Sequence, residues 1–286
     1  MDISALQAFI AVARYESFSK ASEALFITQP AVSKRVASLE DELGAQLFNR
    51  IARQISLTEA GKQLLPKAQD LVHQAEDMQR YAFNLQDEIS GNLSLAIAHH
   101  IGLHRMPPIL KEFNLRHPKV SLDILFEDSD QAFTAVEQGD IEFAVITLPQ
   151  TLPSKLIKQT IWVDDLDIVV SKEHELARGE EIDFGKLARF PCVLPSQDTE
   201  THKIIRREFK RKGLELDVQM QTNNLETLKM LTAAGLGWSL LPTTMHDKNL
   251  KVLDLNVSLS RELGLVIHRR RSLSNAALAL KALIES

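Results

Sequence analysis

Cysteine is almost absent from the sequence: Cys192 is the single one. One thiol cannot close a disulfide within the chain, which excludes an internal redox switch built on a cysteine pair. Its neighbours Phe190, Pro191, Val193 and Leu194 are apolar, so a buried structural cysteine is expected. No apolar run reaches the length of a membrane span. Met1-Asp2-Ile3-Ser4 carries no basic region ahead of an apolar stretch, so no secretory signal is expected and the expected compartment is the cytoplasm. The signatures G-x-S-x-G, H-E-x-x-H, G-x-x-x-x-G-K and G-x-G-x-x-G are all missing, which argues against an enzyme. His99, His100, His104 and Cys192 match no zinc spacing, and adjacent loop histidines seldom converge on one ion, so no metal or other cofactor is expected.

A general excess of positive charge is missing too. The net charge is −5, so any contact with nucleic acid has to come from a local basic surface. From Arg14 to Lys67 eight Lys/Arg stand against six Asp/Glu, a small positive excess in an acidic chain. The basic runs 206–212 and 268–271 read as solvated ends rather than second DNA sites.

What is present begins with three short helices. Leu6, Phe9, Ile10 and Ala13 recur at helical spacing over 4–14. Ser19 is a candidate N-cap for a second helix, and Thr28 for a third that carries Pro30 in its first turn and stops at Gly44. Val32, Val36, Leu39 and Leu43 form its inner stripe. Two helices joined by so short a turn are a helix-turn-helix. The outer face of the third offers Gln29, Pro30, Ser33, Lys34 and Ala37. Gln suits adenine, Lys suits guanine or phosphate, and Ser suits either a base or a phosphate. Residues 47–58 read as a hairpin wing with Arg50 and Arg53 near its tip, placed for phosphates or the minor groove.

The run Thr28-Gln29-Pro30-Ala31-Val32-Ser33, with Leu39-Glu40, Leu43-Gly44, Leu47-Phe48, Arg50, Arg53 and Leu57-Thr58-Glu59-Ala60-Gly61, resembles the signature of LysR-type transcriptional regulators over about 60 residues without a gap. The resemblance implies that Gln29, Pro30, Ser33 and Lys34 face DNA and that Arg53 is the wing residue; Thr28 and Arg50 complete the expected DNA-binding set.

A long helix is expected from Thr58 to about residue 89. Leu64, Ala68, Leu71, Ala75, Met78, Ala82, Leu85 and Ile89 repeat at intervals of four and three, a narrow seam best matched by the same helix of a second chain. Helix-turn-helix reading of a two-fold site needs such a pair, and the resemblance implies the same dimeric linker. Pro66 should loosen its first turns. Ser90-Gly91-Asn92 reads as a hinge.

Beyond Gly91 strands alternate with helices. Strands are expected at 93–97, 120–126 and 141–146, then at 166–170, 192–194, 216–220 and 238–241, with helices at 102–116, 130–138 and 273–285. This pattern predicts two largely parallel α/β units with a ligand cleft between them at the strand ends. Such an arrangement is periplasmic-binding-protein-like and similar to the LysR-type effector domain, which residues 137–145 and 234–242 also resemble. Two departures are Glu142, where Asp is common, and Trp238, where a small aliphatic is usual and which could narrow the cleft. Strand ends and helix starts nominate His99, His100, Ile101, Thr147, Ser196, Gln197, Thr199, His202, Asn223 and Asn224 as the rim. Neutral donors at helix N-termini suggest a small anion.

The expected whole is an α+β multidomain chain: a winged helix-turn-helix at 1–58, a linker helix at 59–90 and an effector domain at 91–286. Subdomain I covers about 91–161 and 267–286, subdomain II about 162–266. Its partners would be promoter DNA with an interrupted palindrome, itself as homodimer or homotetramer, an effector and RNA polymerase, with no membrane. A ligand-binding scaffold without DNA activity is the alternative reading.

Overall fold

The computed structural model describes residues 1–51, 54–85, 89–178 and 182–286. It separates into two compact units, Met1–Gln86 and Asp87–Ser286.

In the first unit, local capping sets the helices. Asp2 accepts from the Ser4 amide to start α1 (Ile3–Tyr15). Ser17, rather than the expected Ser19, caps α2 (Phe18–Ala24) by accepting from the Lys20 amide. The earlier start brings Phe18 into the helix and the core, and leaves the Ser19 carbonyl to accept from the Ser22 hydroxyl. Thr28 caps α3 (Gln29–Leu43), and Gly44 ends it at φ 64, a left-handed turn that glycine adopts without strain. The hairpin of β1 (Phe48–Ile51) and β2 (Gln54–Leu57) follows. Phe48 plugs it onto the helices, edge-on to Phe9 at 5.5 Å and to Phe18 at 5.9 Å. Thr58 Oγ1 donates to the Gln46 carbonyl and accepts from the Gly61 amide, joining the hairpin to α4 (Glu59–Asn84). A Cβ on Gly61 would stand 2.2 Å from the Leu47 carbonyl oxygen, so this approach requires glycine.

The second unit contains β3 (Gly91–Ala98), α5 (His99–His104), α6 (Met106–Arg116), β4 (Val120–Glu127), α7 (Ser129–Gln138), β5 (Phe143–Thr147), β6 (Leu156–Ser171), α8 (Phe184–Leu187) and β7 (Cys192–Leu194). Then come α9 (Glu200–Arg211), β8 (Val218–Gln221), α10 (Leu225–Ala233), β9 (Ser239–Pro242), β10 (Leu250–Leu253), β11 (Leu259–His268) and α11 (Asn275–Glu285). One seven-stranded sheet runs in the order β10-β6-β11-β5-β3-β4, with β9 on β6; β7 and β8 form a separate parallel pair.

The sheet is less parallel than the sequence predicts. Only β3 with β4 and with β5 are parallel in the large sheet; β6, β9, β10 and β11 pair antiparallel. The physical reason is β6 and β11. They lie side by side over ten register pairs, with one irregularity at Leu263/Gly264. One half of β11 pairs with β5, and the far end of β6 pairs with β9 and β10. These two strands are the crossings between two lobes. The first lobe packs Leu95, Ile97, Phe143 and Val145 against Phe113, Val136 and Leu280. The second packs Ile168 and Val170 of β6 against Phe209, Trp238 and Leu240. Sandwiched strands such as β5, buried at all five positions, read as continuous apolar runs.

Candidate functional site

On the first unit, the buried Val32, Val36 and Leu39 fix the inner side of α3. Gln29, Pro30 and Lys34 are exposed on its outer side, and Ser33 is half-buried. Gln29 Nε2 donates to Ser33 Oγ at 3.2 Å, so two of the base-reading candidates already hold one another in place. Thr28 Oγ1 accepts from the Ala31 amide at 3.4 Å. The helix N-terminus adds partial positive charge on the same surface. Arg53 and the side chain of Arg50 lie outside the described residues. Sequence reasoning passed over Phe26, which is 95% exposed in the turn before α3 at φ 53.

The expected seam divides along α4. Leu64 and Ala68 pack into the first unit's own core, joined there by Val72. Leu71, Met78, Ala82 and Leu85 are exposed, and Ala75 is half-buried. The seam does not reach Ile89: α4 ends at Asn84, and Ile89 packs on the core of the second unit. The helix continues through Pro66.

In the second unit a cavity of about 320 Å³ opens between the lobes. Of the nominated rim, His99, His100, Thr147, Thr199 and Asn223 line it. Ile101, Ser196, Gln197, His202 and Asn224 do not. Ile101 is fully buried in the first lobe's core. His202 is buried, with its Nδ1 2.8 Å from the Pro195 carbonyl oxygen. The Ser196 amide donates to Asn223 Oδ1 at 3.0 Å, while Asn224 spends its side chain on the N-cap of α10. Asn223 Nδ2 in turn donates to Asp128 Oδ2 at 2.7 Å, tying the two lobes' loops together.

The walls carry more charge than the neutral rim expected from the sequence. Glu127, Asp128, Asp130, Asp198 and Glu200 face Lys203 and Arg261. Lys203 is paired with Glu200 at 2.9 Å. Arg261 donates from Nε and Nη2 to Asp164 Oδ2 at 3.0 and 2.9 Å, and from Nη1 to Thr201 Oγ1 at 2.7 Å. Burial, then the charge of Arg261, holds the His100 ring well below the usual histidine range, so it is neutral at pH 7. Burial, then the Asp198 charge, pushes the Asp130 carboxyl up. Asp128 and Asp130 follow the end of β4, so counting that strand's end would have found them. Arg261 sits on β11, which the sequence reading left unassigned.

Two further positions differ from expectation. Trp238 does not narrow the cleft. It is buried in the second lobe, stacked on Phe209 at 5.6 Å, with Nε1 donating to the Phe190 carbonyl at 3.2 Å. Glu142 holds Ser274, the N-cap of α11: its two carboxylate oxygens accept from the Ser274 amide at 2.7 Å and hydroxyl at 2.9 Å. Among the described residues no three His, Cys, Asp or Glu side chains gather as metal ligands, and no helix is long and apolar enough to cross a membrane.

Cys192 is fully buried on β7, and burial, then the Asp217 charge, pushes its thiol up to about 12. Thiolate is the reactive form. A disulfide reagent at about pH 7.5 is therefore expected to leave the native protein unlabelled and to modify one thiol per chain only in denaturant. Rapid labelling of folded protein would show that β7 opens.

Comparison with known proteins agrees with this architecture. Residues 3–62 match the family model of the bacterial regulatory helix-turn-helix protein, lysR family, and residues 86–286 that of the LysR substrate binding domain. An uncharacterized HTH-type transcriptional regulator in the ibpB-leuC intergenic region of Azotobacter vinelandii is 55% identical over 108 residues, 38% of this chain and 75% of that protein. The RuBisCO operon transcriptional regulator of Allochromatium vinosum is 26% identical, over 98% of this chain and 94% of its own. A full-length OxyR variant from Pseudomonas aeruginosa shares the fold with a TM-score of 0.70 at 20% identity, covering 100% of this chain and 98% of that one. With a lysR-type reading head and an effector-binding domain both matched along its length, the chain belongs to the LysR family of transcriptional regulators.

Proposed function

We propose that this regulator reads an interrupted palindrome in promoter DNA as a homodimer or a homotetramer of such pairs, and that a small molecule in the interlobe cleft sets its output. RNA polymerase at the same promoter is its further partner. It works in the cytoplasm, without a resident cofactor and without catalysing a reaction. The observation that carries the reading is the outer face of α3, where Gln29, Pro30 and Lys34 stand exposed on a helix fixed from behind by Val32, Val36 and Leu39.

The seam supports pairing, since Leu71 and Met78 on α4 and Leu85 just past its end are large apolar side chains exposed at intervals of seven. A single head with one exposed cation, Lys34, on its reading helix binds DNA weakly, and two linked heads multiply that affinity. The cleft supports ligand control: closing it shifts one lobe against the other along β6 and β11, and the shift alters the bend that the paired heads impose on DNA.

Gel shifts on the promoter fragment next to the gene test the reading. Gln29→Ala is expected to weaken specific binding by about 10-fold or more and to relax preference at one base per half-site. Lys34→Ala is expected to weaken all sequences alike and to flatten the salt dependence by about one unit per head if it meets a phosphate. Wild-type binding by both variants would sink the assignment of α3.

A further inference from the structure

The turn between α2 and α3 holds a side chain that the head's own packing does not use. Leu25 and Ile27 turn inward and pack on the first unit's core. Phe26 between them turns outward and is 95% exposed, more than any other large apolar side chain among the described residues. It also sits at φ 53, in the left-handed region. The Ile27 amide donates to the Ser22 carbonyl at 3.1 Å and the Phe26 amide to the Glu23 carbonyl at 3.2 Å. These two bonds are the usual closure of a helix on a left-handed glycine, the conformation in which Gly44 ends α3. Here a bulky ring stands in the glycine's place. A Cβ in this conformation strains the backbone, and an exposed ring gains no burial to offset the strain. Asparagine, which tolerates the left-handed region, would serve the fold better.

The position of the ring says what it meets. Phe26 lies two residues before Thr28, the N-cap of α3, and three before Gln29. Phe26, Thr28, Gln29 and Pro30 are all exposed, so the ring continues the reading face. In helix-turn-helix docking the first residues of the second helix reach the base edges, and the turn just ahead of them comes to the rim of the major groove. The apolar group that the major groove presents is the thymine methyl, which phenylalanine can cover. The exposed chain neighbours Glu23, Ala24, Thr28 and Gln29 add no second large apolar side chain. The ring is therefore too isolated to be a protein-docking patch.

We propose that Phe26 is a base-reading residue, its ring covering a thymine methyl in each half-site beside the base pair read by Gln29. This rests on reading the outer face of α3 as the DNA surface. The contact is apolar, so it adds sequence preference without releasing counterions.

The test selects operator duplexes from random sequence with the full-length protein. Affinity and its salt dependence are then measured for wild type, Phe26→Asn, Phe26→Leu and, as a control, Gln29→Ala. Deoxyuridine replaces each thymine in turn and removes only the methyl. One thymine per half-site is expected to lose about fourfold in affinity on this replacement, the worth of one buried carbon. Phe26→Asn is expected to weaken operator binding by at least about that factor, to become blind to that methyl and to keep the wild-type salt slope. Phe26→Leu should retain part of both the affinity and the methyl response. In far-ultraviolet melting the head of Phe26→Asn is expected to unfold about 2 °C or more above wild type, because strain is relieved. Wild-type operator affinity for Phe26→Asn overturns the proposal; if Gln29→Ala also binds as wild type, the reading of α3 fails with it. Weakened binding with the methyl response intact, or no methyl-sensitive thymine in the wild-type operator, overturns the base contact. A lowered melting midpoint for Phe26→Asn overturns it as well, since the ring then belongs to the fold.

Discussion

Replacing Asp164 with alanine is expected to cost the second unit about 3–5 kcal/mol, enough to threaten its folding. Both members of the Arg261–Asp164 pair are 4% exposed. Arg261 and Asp164 are register partners on β11 and β6, at the crossing between the lobes. Arg105 approaches the other Asp164 oxygen at 3.5 Å and lies over the Trp162 ring at 5.9 Å. Burial acts to strip the charge from Arg261, and Asp164 is what restores it. Without the carboxylate, a guanidinium is left buried and two of its donors lose their acceptor. Asp164→Asn keeps an acceptor and should lose less. The double variant Asp164→Leu/Arg261→Met should lose less than Asp164→Ala alone, because it removes both charges and fills the space. Tryptophan fluorescence during denaturant unfolding reads this directly, since Trp162 and Trp238 both belong to the second unit. A midpoint for Asp164→Ala within about 0.5 kcal/mol of wild type would mean that water reaches the pair and that it is not the pin between the lobes.

That pin was invisible in the sequence, and its invisibility has a cause. In the middle of β6 and of β11, Asp164, Asp165, Arg261 and Glu262 interrupt the apolar pattern by which strands are recognised. Asp164 and Arg261 lie 97 residues apart, a separation that no local pattern encodes. Local features fared differently. Thr28 and Gly44 bound α3 because capping and left-handed turns are decided within a few residues. The α2 start moved from Ser19 to Ser17 because both serines can cap, and burial of Phe18 chose between them. The 4-3 spacing along α4 was plain, but not its division: the first unit's core takes Leu64 and Ala68 for its own packing and leaves Leu71, Met78 and Leu85 uncovered. In the cleft, strand ends led to His100, Thr147 and Asn223. That Asp130 and Asp198 line the same cavity depends on which two loops the fold brings together. Trp238 misled for the same reason, since its place is decided by Phe209, a stacking partner on α9.

Glu40→Ala is expected to loosen the reading head by about 3 kcal/mol and to take DNA binding with it. Glu40 is 5% exposed at the inner side of α3. Its Oε1 accepts from the Leu47 amide at 2.7 Å and from the Phe48 amide at 3.3 Å, where the chain turns from α3 into the wing. Alanine leaves two buried backbone donors without that acceptor, each worth about 1–3 kcal/mol. Glu40→Gln preserves an acceptor oxygen of the same reach and should lose about 1 kcal/mol, the difference between a charged and a neutral hydrogen bond. The effect ought to be confined to one unit. Both tryptophans sit in the second unit, so their fluorescence transition should not move, while the far-ultraviolet helical signal melts earlier and promoter affinity falls. Because Phe48 is also held by Phe9 and Phe18, the wing has two independent anchors. If Glu40→Ala keeps wild-type affinity and melting, the aromatic anchor suffices and the carboxylate is only spectator to it; if affinity falls while the head stays folded, the carboxylate is what aims the wing.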